Sequence, residues 1–525
     1  MGGKIYQWND FARNRRIRTQ VCVIGTGCGG STLALHLAHS GIDVALIEQG
    51  GYYPTGAFDN HELNMAGMIS ADRNLGTDTD GSISLTYGNN VGGASVHYWA
   101  DSYRTPPDRL QLWAERYGIE NHSLNDLNPH WDVLERDLHV HAATEPFFNR
   151  MNQLVRTAAG KLRWSGHRVP QARHNCQRSG HCMQGCAFNA KQSQLITHIP
   201  RAISLGASVY ADCRAREFIL EGDRVRALRA RMIDRPSQRE NGVELTFEAD
   251  VFVVAAGGFG SSTLLLRNGW KQRLPALGEH VAINPSVFIH ALYPEDIIQW
   301  RNIPAAFGVD EFRLARFDTD GNYSNGGYLL MPNQLQPAAL AALLPGFGRQ
   351  HRDWMQQMPR MGGTIAWIDD VDGELGRITI DGDRRRVEYG FGNITKQIIR
   401  DNLKKQALLN FTAGATEVIV PDARATVLKN INEIQRIDSI PLEPAGLLLA
   451  APHPAGGCRM GPDARTAVCD SEHRVHGLQN MYISDSSVFP GGVSVDPSLT
   501  IMAFSMQAVR FIQARHFSDA TVASG

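Results

Sequence analysis

One stretch limits the fold of this chain more than any other: TQVCVIGTGCGGSTLALHLAHSGIDVALIEQG, residues 19–50. VCVIG reads as a short apolar strand, STLALHLAHSG as a helix ending at glycine, and IDVALIE as a second buried strand. Between the first strand and the helix, Gly25, Gly27 and Gly30 form G-x-G-x-x-G. In such a strand–turn–helix the first glycine makes the tight turn. The second lets backbone approach a pyrophosphate, and the third lets helix close on strand. The helix N-terminus then faces the phosphates. Glu48, eighteen residues beyond Gly30, is placed to hydrogen-bond a ribose. A dinucleotide site follows, and the fingerprint by itself does not choose between NAD and FAD.

Later segments extend the same architecture. Residues 207–232 alternate like a hairpin with a polar turn at Glu221, Gly222 and Asp223, and Ala215 on its first strand is counted with the cofactor side. ADVFVVAAGGFGSSTLLLRNG (249–269) is a buried strand running into a glycine-rich turn and a helix. MYISDSSVFPGG (481–492) puts Asp485 at the end of a third strand, where α/β sheets bind ligands. The 525 residues suffice for two or three domains. A net charge of −1 gives no electrostatic case for nucleic acid or an anionic membrane. Residues 1–20 lack the apolar core of a signal peptide, and no apolar run is long enough to span a bilayer. The expected location is the cytoplasm, the alternative being the periplasm or a membrane reached through a partner subunit.

Four blocks together resemble the GMC (glucose–methanol–choline) oxidoreductases. They are GTGCGGSTLALHLAHSGIDVALIEQG, VGGASVHYWA at 91–100, VVAAGGFGSSTLLLRNG at 253–269, and HPAGGCRMG followed by MYISDSSVFPGGVSVDPSLTIMAF. The resemblance implies FAD rather than NAD and oxidation of a CH–OH group, on an alcohol, a sugar or a polyol. It implies a Rossmann-like α/β FAD-binding domain with an inserted α+β substrate domain built on an antiparallel sheet. The expected division is 15–100, 190–275 and 450–515 for FAD, and 101–189 and 276–449 for substrate.

In the second block, Gly92 and Gly93 permit backbone to approach a flat ring and Ser95 offers a donor there. His97 stands where some family members attach flavin covalently and others only pack a histidine. His453, in PHPAGGCRMG, matches the family's catalytic histidine, suited by chemistry to take a hydroxyl proton while hydride leaves carbon. The family places a second His or Asn about forty residues on; here the position holds Asp496. Asp496 reads either as a partner to His453 or as the N-cap of a helix with Pro497 at its first position. The amides after Pro497 are expected near the flavin, as in the family. Tyr98, Trp99, Trp300 and Trp367 are candidates to stack on a sugar, and residues 337–347 are an apolar segment.

NCQRSGHCMQGC (175–186) holds Cys176, Cys182 and Cys186. If the second pair is helical, both lie on one face. The segment is also similar to one in bacterial flavin sugar dehydrogenases, where three cysteines hold an iron–sulfur cluster. A cluster, a structural loop, and a disulfide or zinc site with His174 or His181 all stand as readings. A cluster would favour a dehydrogenase passing electrons to a redox partner protein or small subunit. An O2-using oxidase and a non-redox lyase are the alternatives.

Overall fold

The computed structural model describes residues 3–443 and 445–518. Its first sheet has eight strands, six of them in a parallel set: Ile5–Tyr6, Ser208–Tyr210, Val44–Ile47, Arg15–Ile24, Arg239–Val254 and Met481–Ile483, neighbour to neighbour. Arg239–Val254 is sixteen residues long and serves two partners on its other edge. Its first half pairs antiparallel with Arg224–Asp234, which pairs with Cys213–Glu221, and its last three residues pair with Met481–Ile483. The hairpin expected over 207–232 is therefore present, turning at Glu221–Arg224.

The run VCVI is buried throughout because the sheet is covered on both faces. Val21, Val23, Val44, Leu46, Val251 and Val253 pack with Leu33 and Leu37 of helix Cys28–His39 on one side. Cys22, Ile24, Ala45, Ile47, Phe252 and Val254 face the larger core on the other.

The second sheet is mostly antiparallel. Its order is Tyr328–Pro332, Met361–Ile368, Ser286–Leu292, Glu417–Ile419, Val427–Leu428, with Leu449–Ala451 beside Ser286 and Ile83–Leu85 parallel to it. Helix Asn393–Thr412 covers one face through buried amides: Gln406 accepts from Thr364 Oγ1 at 2.9 Å, and Asn410 donates to the same hydroxyl at 2.9 Å. Trp367, an odd number of residues from Thr364, projects from the opposite face, toward the first sheet's ligand edge. The architecture is mixed α/β with a Rossmann-like half. Among the described residues no helix is long and apolar enough to cross a membrane.

The segment 337–347 forms helix Pro337–Leu343, whose first-turn amides of Ala338 and Ala339 donate to Glu62 at 2.6 and 3.0 Å. Leu340 is buried beneath it and Phe347 stands exposed.

Candidate active site

The glycine loop is built by close approaches. A Cβ at Gly25, where φ is +111°, would lie 2.1 Å from the Ala255 carbonyl, and one at Gly30 would lie 2.1 Å from Gly25 O. Gly29 is equally tight, 1.8 Å from Ser484 O, a constraint the motif does not announce. Gly27 caps helix Cys28–His39 and has no protein atom within 4 Å of its Cβ position. That combination, crowded flanks and open space before free helix amides, fits a pyrophosphate. Glu48 organises the rim: its oxygens accept from Thr26 N at 3.2 Å, Thr26 Oγ1 at 2.8 Å and Gly50 N at 2.9 Å. Burial raises its carboxyl above the ordinary range against the pull of those donors. Ala215 lies two residues along the strand that begins at Cys213, whose N–H donates to Glu48 O at 2.8 Å.

Thr26 also accepts from Gly92 N at 3.1 Å, joining this rim to the second block. Gly92 and Gly93 take φ of +104° and +58°, and a Cβ on Gly93 would meet Gly27 Cα at 2.7 Å. The Ser95 hydroxyl donates to Gly92 O at 2.7 Å and accepts from Gln194 N at 2.9 Å, so it shapes the turn rather than standing free. His97 is buried, and its Nε2 has no partner in the protein. Burial, then the Lys191 charge, lowers its pKa to about 3, leaving a neutral ring. Asp485 ties the end of strand Met481–Ile483 to helix Gly257–Arg267 by accepting from Gly257 N at 2.8 Å and Ser261 Oγ at 2.5 Å.

His453 follows strand Leu449–Ala451, and its loop folds back through Ala455, which exchanges backbone hydrogen bonds with Ala282. Asn284, two residues on, fixes the ring. Its side-chain N–H is committed to Ile368 O at 2.5 Å, so its oxygen is what faces His453 Nδ1 at 2.7 Å. Nδ1 therefore carries a proton and donates. Asn284 is itself held by Asp370, which accepts its backbone N–H at 2.8 Å; burial raises the Asp370 carboxyl to about 6.

The other ring nitrogen, Nε2, stands 3.2 Å from Asp496 Oδ1. A bare imidazole nitrogen and a carboxylate oxygen both accept and neither donates, so this contact is favourable only with one proton between them. Asp496 Oδ2 is buried with no partner. The helix after it spans Ser498–His516 with Pro497 at the cap position and no side-chain cap. Asp496 is thus a partner to His453, not an N-cap, and the first-turn amides after Pro497 stay open. Asp101, also buried, binds Gln171 Nε2 through Oδ1 at 2.6 Å and leaves Oδ2 unpartnered. Burial, and then the Asp496 carboxylate, raise its pKa. Of the four aromatic candidates, Trp367 lies 5.1 Å from the His453 ring and Trp99 meets Trp367 edge-on at 5.7 Å.

The cysteine segment departs from a cluster site. Cys182–Gln184 is a single 3-10 turn, and Gly185, with φ of +92° against Phe58, ends it before Cys186 can share a helical face. Each sulfur instead accepts from nitrogen: Cys176 from Arg178 N at 3.4 Å, Cys182 from Arg173 Nη1 at 3.3 Å, Cys186 from Lys191 N at 3.5 Å. The nearest charges are the buried cations Arg173 and Lys191. Among the described residues no group of three or more His, Cys, Asp or Glu is arranged to hold a metal ion, and all eight cysteines are free thiols. The segment 175–186 is a loop whose geometry supports no cluster, zinc or disulfide among the described residues. Lys191 anchors it, donating to Val96, Tyr98 and Cys182 carbonyls at 2.7, 3.0 and 2.5 Å.

Residues 20–286 match the GMC oxidoreductase N-terminal domain and residues 438–505 the C-terminal domain. The chain belongs to the GMC oxidoreductase family. A GMC-type oxidoreductase of Mycobacterium tuberculosis, described as uncharacterized, is 27% identical over 93% of this chain and 75% of its own length. Paromamine 6'-oxidase of Streptomyces fradiae is 25% identical over 94% and 91%. Long-chain-alcohol oxidase FAO3 of Arabidopsis thaliana is 24% identical over 93% and 67%. Among solved structures, pyridoxine 4-oxidase from Mesorbium loti superposes with a TM-score of 0.72 at 16% identity, covering 95% of this chain and all of that one. A formate oxidase superposes at 0.70 with 12% identity, covering 96% and 99%. GMC oxidoreductases bind FAD, and this chain is an oxidoreductase.

Proposed function

We propose that this GMC oxidoreductase converts a CH–OH group to a carbonyl, with His453 and Asp496 handling the hydroxyl proton. The observation that carries the reading is the 3.2 Å contact between His453 Nε2 and Asp496 Oδ1. A hydroxyl entering between them would meet His453 Nε2 as acceptor, while Asp496, when protonated, would donate to the substrate oxygen. His453 Nε2, oriented by Asn284, accepts the hydroxyl proton and leaves as imidazolium beside the Asp496 carboxyl. Asp496 thereby supplies the hydrogen-bond donor that a neutral His or Asn supplies in other members. FAD, when bound, supplies the acceptor for the hydride. It would be held by the Gly25–Gly30 turn, Glu48, the Gly92–Gly93 turn with His97 and the amides after Pro497, the Asp485 end of the sheet supporting them. We likewise propose residues 15–100, 190–275 and 450–515 as the cofactor-holding part, and 101–189 with 276–449 as the substrate part.

For the electron acceptor we favour O2. Among the described residues the three cysteines that argued for a redox partner are not grouped as ligands, and the relatives named a long-chain-alcohol oxidase and a paromamine 6'-oxidase are oxidases. Hydrogen peroxide released in step with substrate would support this, and rapid turnover only with an artificial acceptor would overturn it. For the chemistry, His453→Ala is expected to bind FAD yet slow anaerobic flavin reduction by on the order of a hundredfold or more. Reduction at the unmodified rate contradicts the assignment.

A further inference from the structure

A wall of apolar groups runs from His453 to a cavity. Trp367 covers the imidazole, and its indole N–H is spent on Met331 Sδ at 3.1 Å. Leu329 is the cross-strand partner of Trp367 and Met331 that of Ile365, so all four side chains lie on the face turned to the catalytic pair. Leu329 and Val495, the residue before Asp496, then wall a cavity of about 270 Å³ with the Tyr103 ring, Pro106 and Pro170.

Four polar side chains also reach this cavity, and each is already engaged by the protein. Arg104 binds Glu135 at 2.7 and 2.6 Å and Asp132 at 2.7 Å. Arg313 binds Asp108 at 2.7 Å and Ser494 Oγ at 2.9 Å. His167 lies between Tyr103 Oη at 2.9 Å and Asp310 Oδ2 at 2.9 Å. A ligand leaving the catalytic pair therefore meets ring, proline and alkyl surface beside polar groups already held in ion pairs and hydrogen bonds. A second or third hydroxyl would give up water for groups that already have their partners, whereas a hydrocarbon tail gives up nothing.

We propose that this cavity takes the apolar tail of the substrate, so that the enzyme acts on alcohols carrying an alkyl or aryl group and discriminates against sugars and polyols. The inference rests on the reading of His453 and Asp496 as the seat of the reacting hydroxyl.

The test uses the FAD-loaded enzyme with ethanol, butanol, hexanol, glycerol and glucose, following anaerobic flavin bleaching. kcat/KM is expected to rise by about fourfold per added CH2 until the cavity is full, with glycerol and glucose below butanol. Leu329→Trp should lower the hexanol-to-ethanol ratio by about tenfold or more, and Leu329→Ala should move the preferred chain length upward. Binding is read separately by calorimetry with unreactive amides: hexanamide should bind tighter than acetamide, and Leu329→Trp should erase the difference. Chain-length indifference in both assays, or glucose outperforming hexanol, overturns the tail proposal and leaves CH–OH oxidation intact. If no alcohol bleaches the flavin, the proposed function fails, and the amide series still decides whether the cavity takes an apolar tail.

Discussion

Two buried carboxylates stand at opposite ends of this site, and the protein treats them differently. Glu48 receives three donors from the protein itself, two of them backbone N–H groups. Asp496 receives a single imidazole nitrogen and keeps one oxygen unpartnered. A carboxylate that builds a binding loop is saturated, because every unsatisfied buried group weakens the fold. In the proposed chemistry Asp496 is left one bond short so that substrate completes it. The cost is a strained charge balance: buried Asp101 is raised by the Asp496 carboxylate, and the Arg173 guanidinium, hydrogen-bonded to Gln171 that donates to Asp101, offsets it in part.

The largest effect that would sharpen this contrast is on Glu48. Glu48→Ala leaves the N–H groups of Thr26 and Gly50 and the Thr26 hydroxyl without an acceptor. The variant should lose about 2–4 kcal/mol of stability and be isolated largely without FAD, as read by thermal unfolding and the flavin-to-protein absorbance ratio. Asp496→Asn should do the reverse, keeping FAD and unfolding within about 1 kcal/mol of the native enzyme, because no donor from the backbone depends on that carboxylate. Comparable destabilisation in the two variants would break the comparison.

A smaller effect belongs to Asp101. Burial and the Asp496 carboxylate hold its pKa above the value in the unfolded chain, so the native fold loses stability as pH rises through that raised value. Asp101→Asn removes this titration and can still accept from Gln171, so in thermal unfolding the variant should gain on the native enzyme as pH rises. A difference between the two that does not change with pH would contradict this.

The same contrast governs what could be read from the chain. The cofactor loop was legible because its constraints are local: Gly25 and Gly30 are glycines since a Cβ at either would strike backbone. Glu48 follows at the end of the next strand by simple counting. His453 and Asp496 were legible by resemblance, and the spacing to Pro497 even offered a capping role, which the turn of the carboxylate to His453 removes. Asn284 was not legible. It sits 169 residues from the histidine it orients, in a segment without local signature, and the backbone pairings of Ser286 with Ala450 and of Ala282 with Ala455 bring them together. Asp101 was missed for the same reason. The cysteines show the opposite error. The spacing of Cys182 and Cys186 suits one face of a helix, but spacing alone does not make the segment helical, and Gly185 with its positive φ ends the turn between them.

The central claim is that His453 and Asp496 hold the reacting hydroxyl between them. Its most direct test is anaerobic flavin reduction by an alcohol in the FAD-loaded native enzyme, in Asp496→Asn and in Asp496→Leu. The Asn amide still offers a donor to the substrate oxygen and Leu offers nothing, so Asp496→Asn should reduce flavin within about tenfold of the native rate and Asp496→Leu should be slower by on the order of a hundredfold or more. A native rate in Asp496→Leu, or no reduction in Asp496→Asn, would contradict the account.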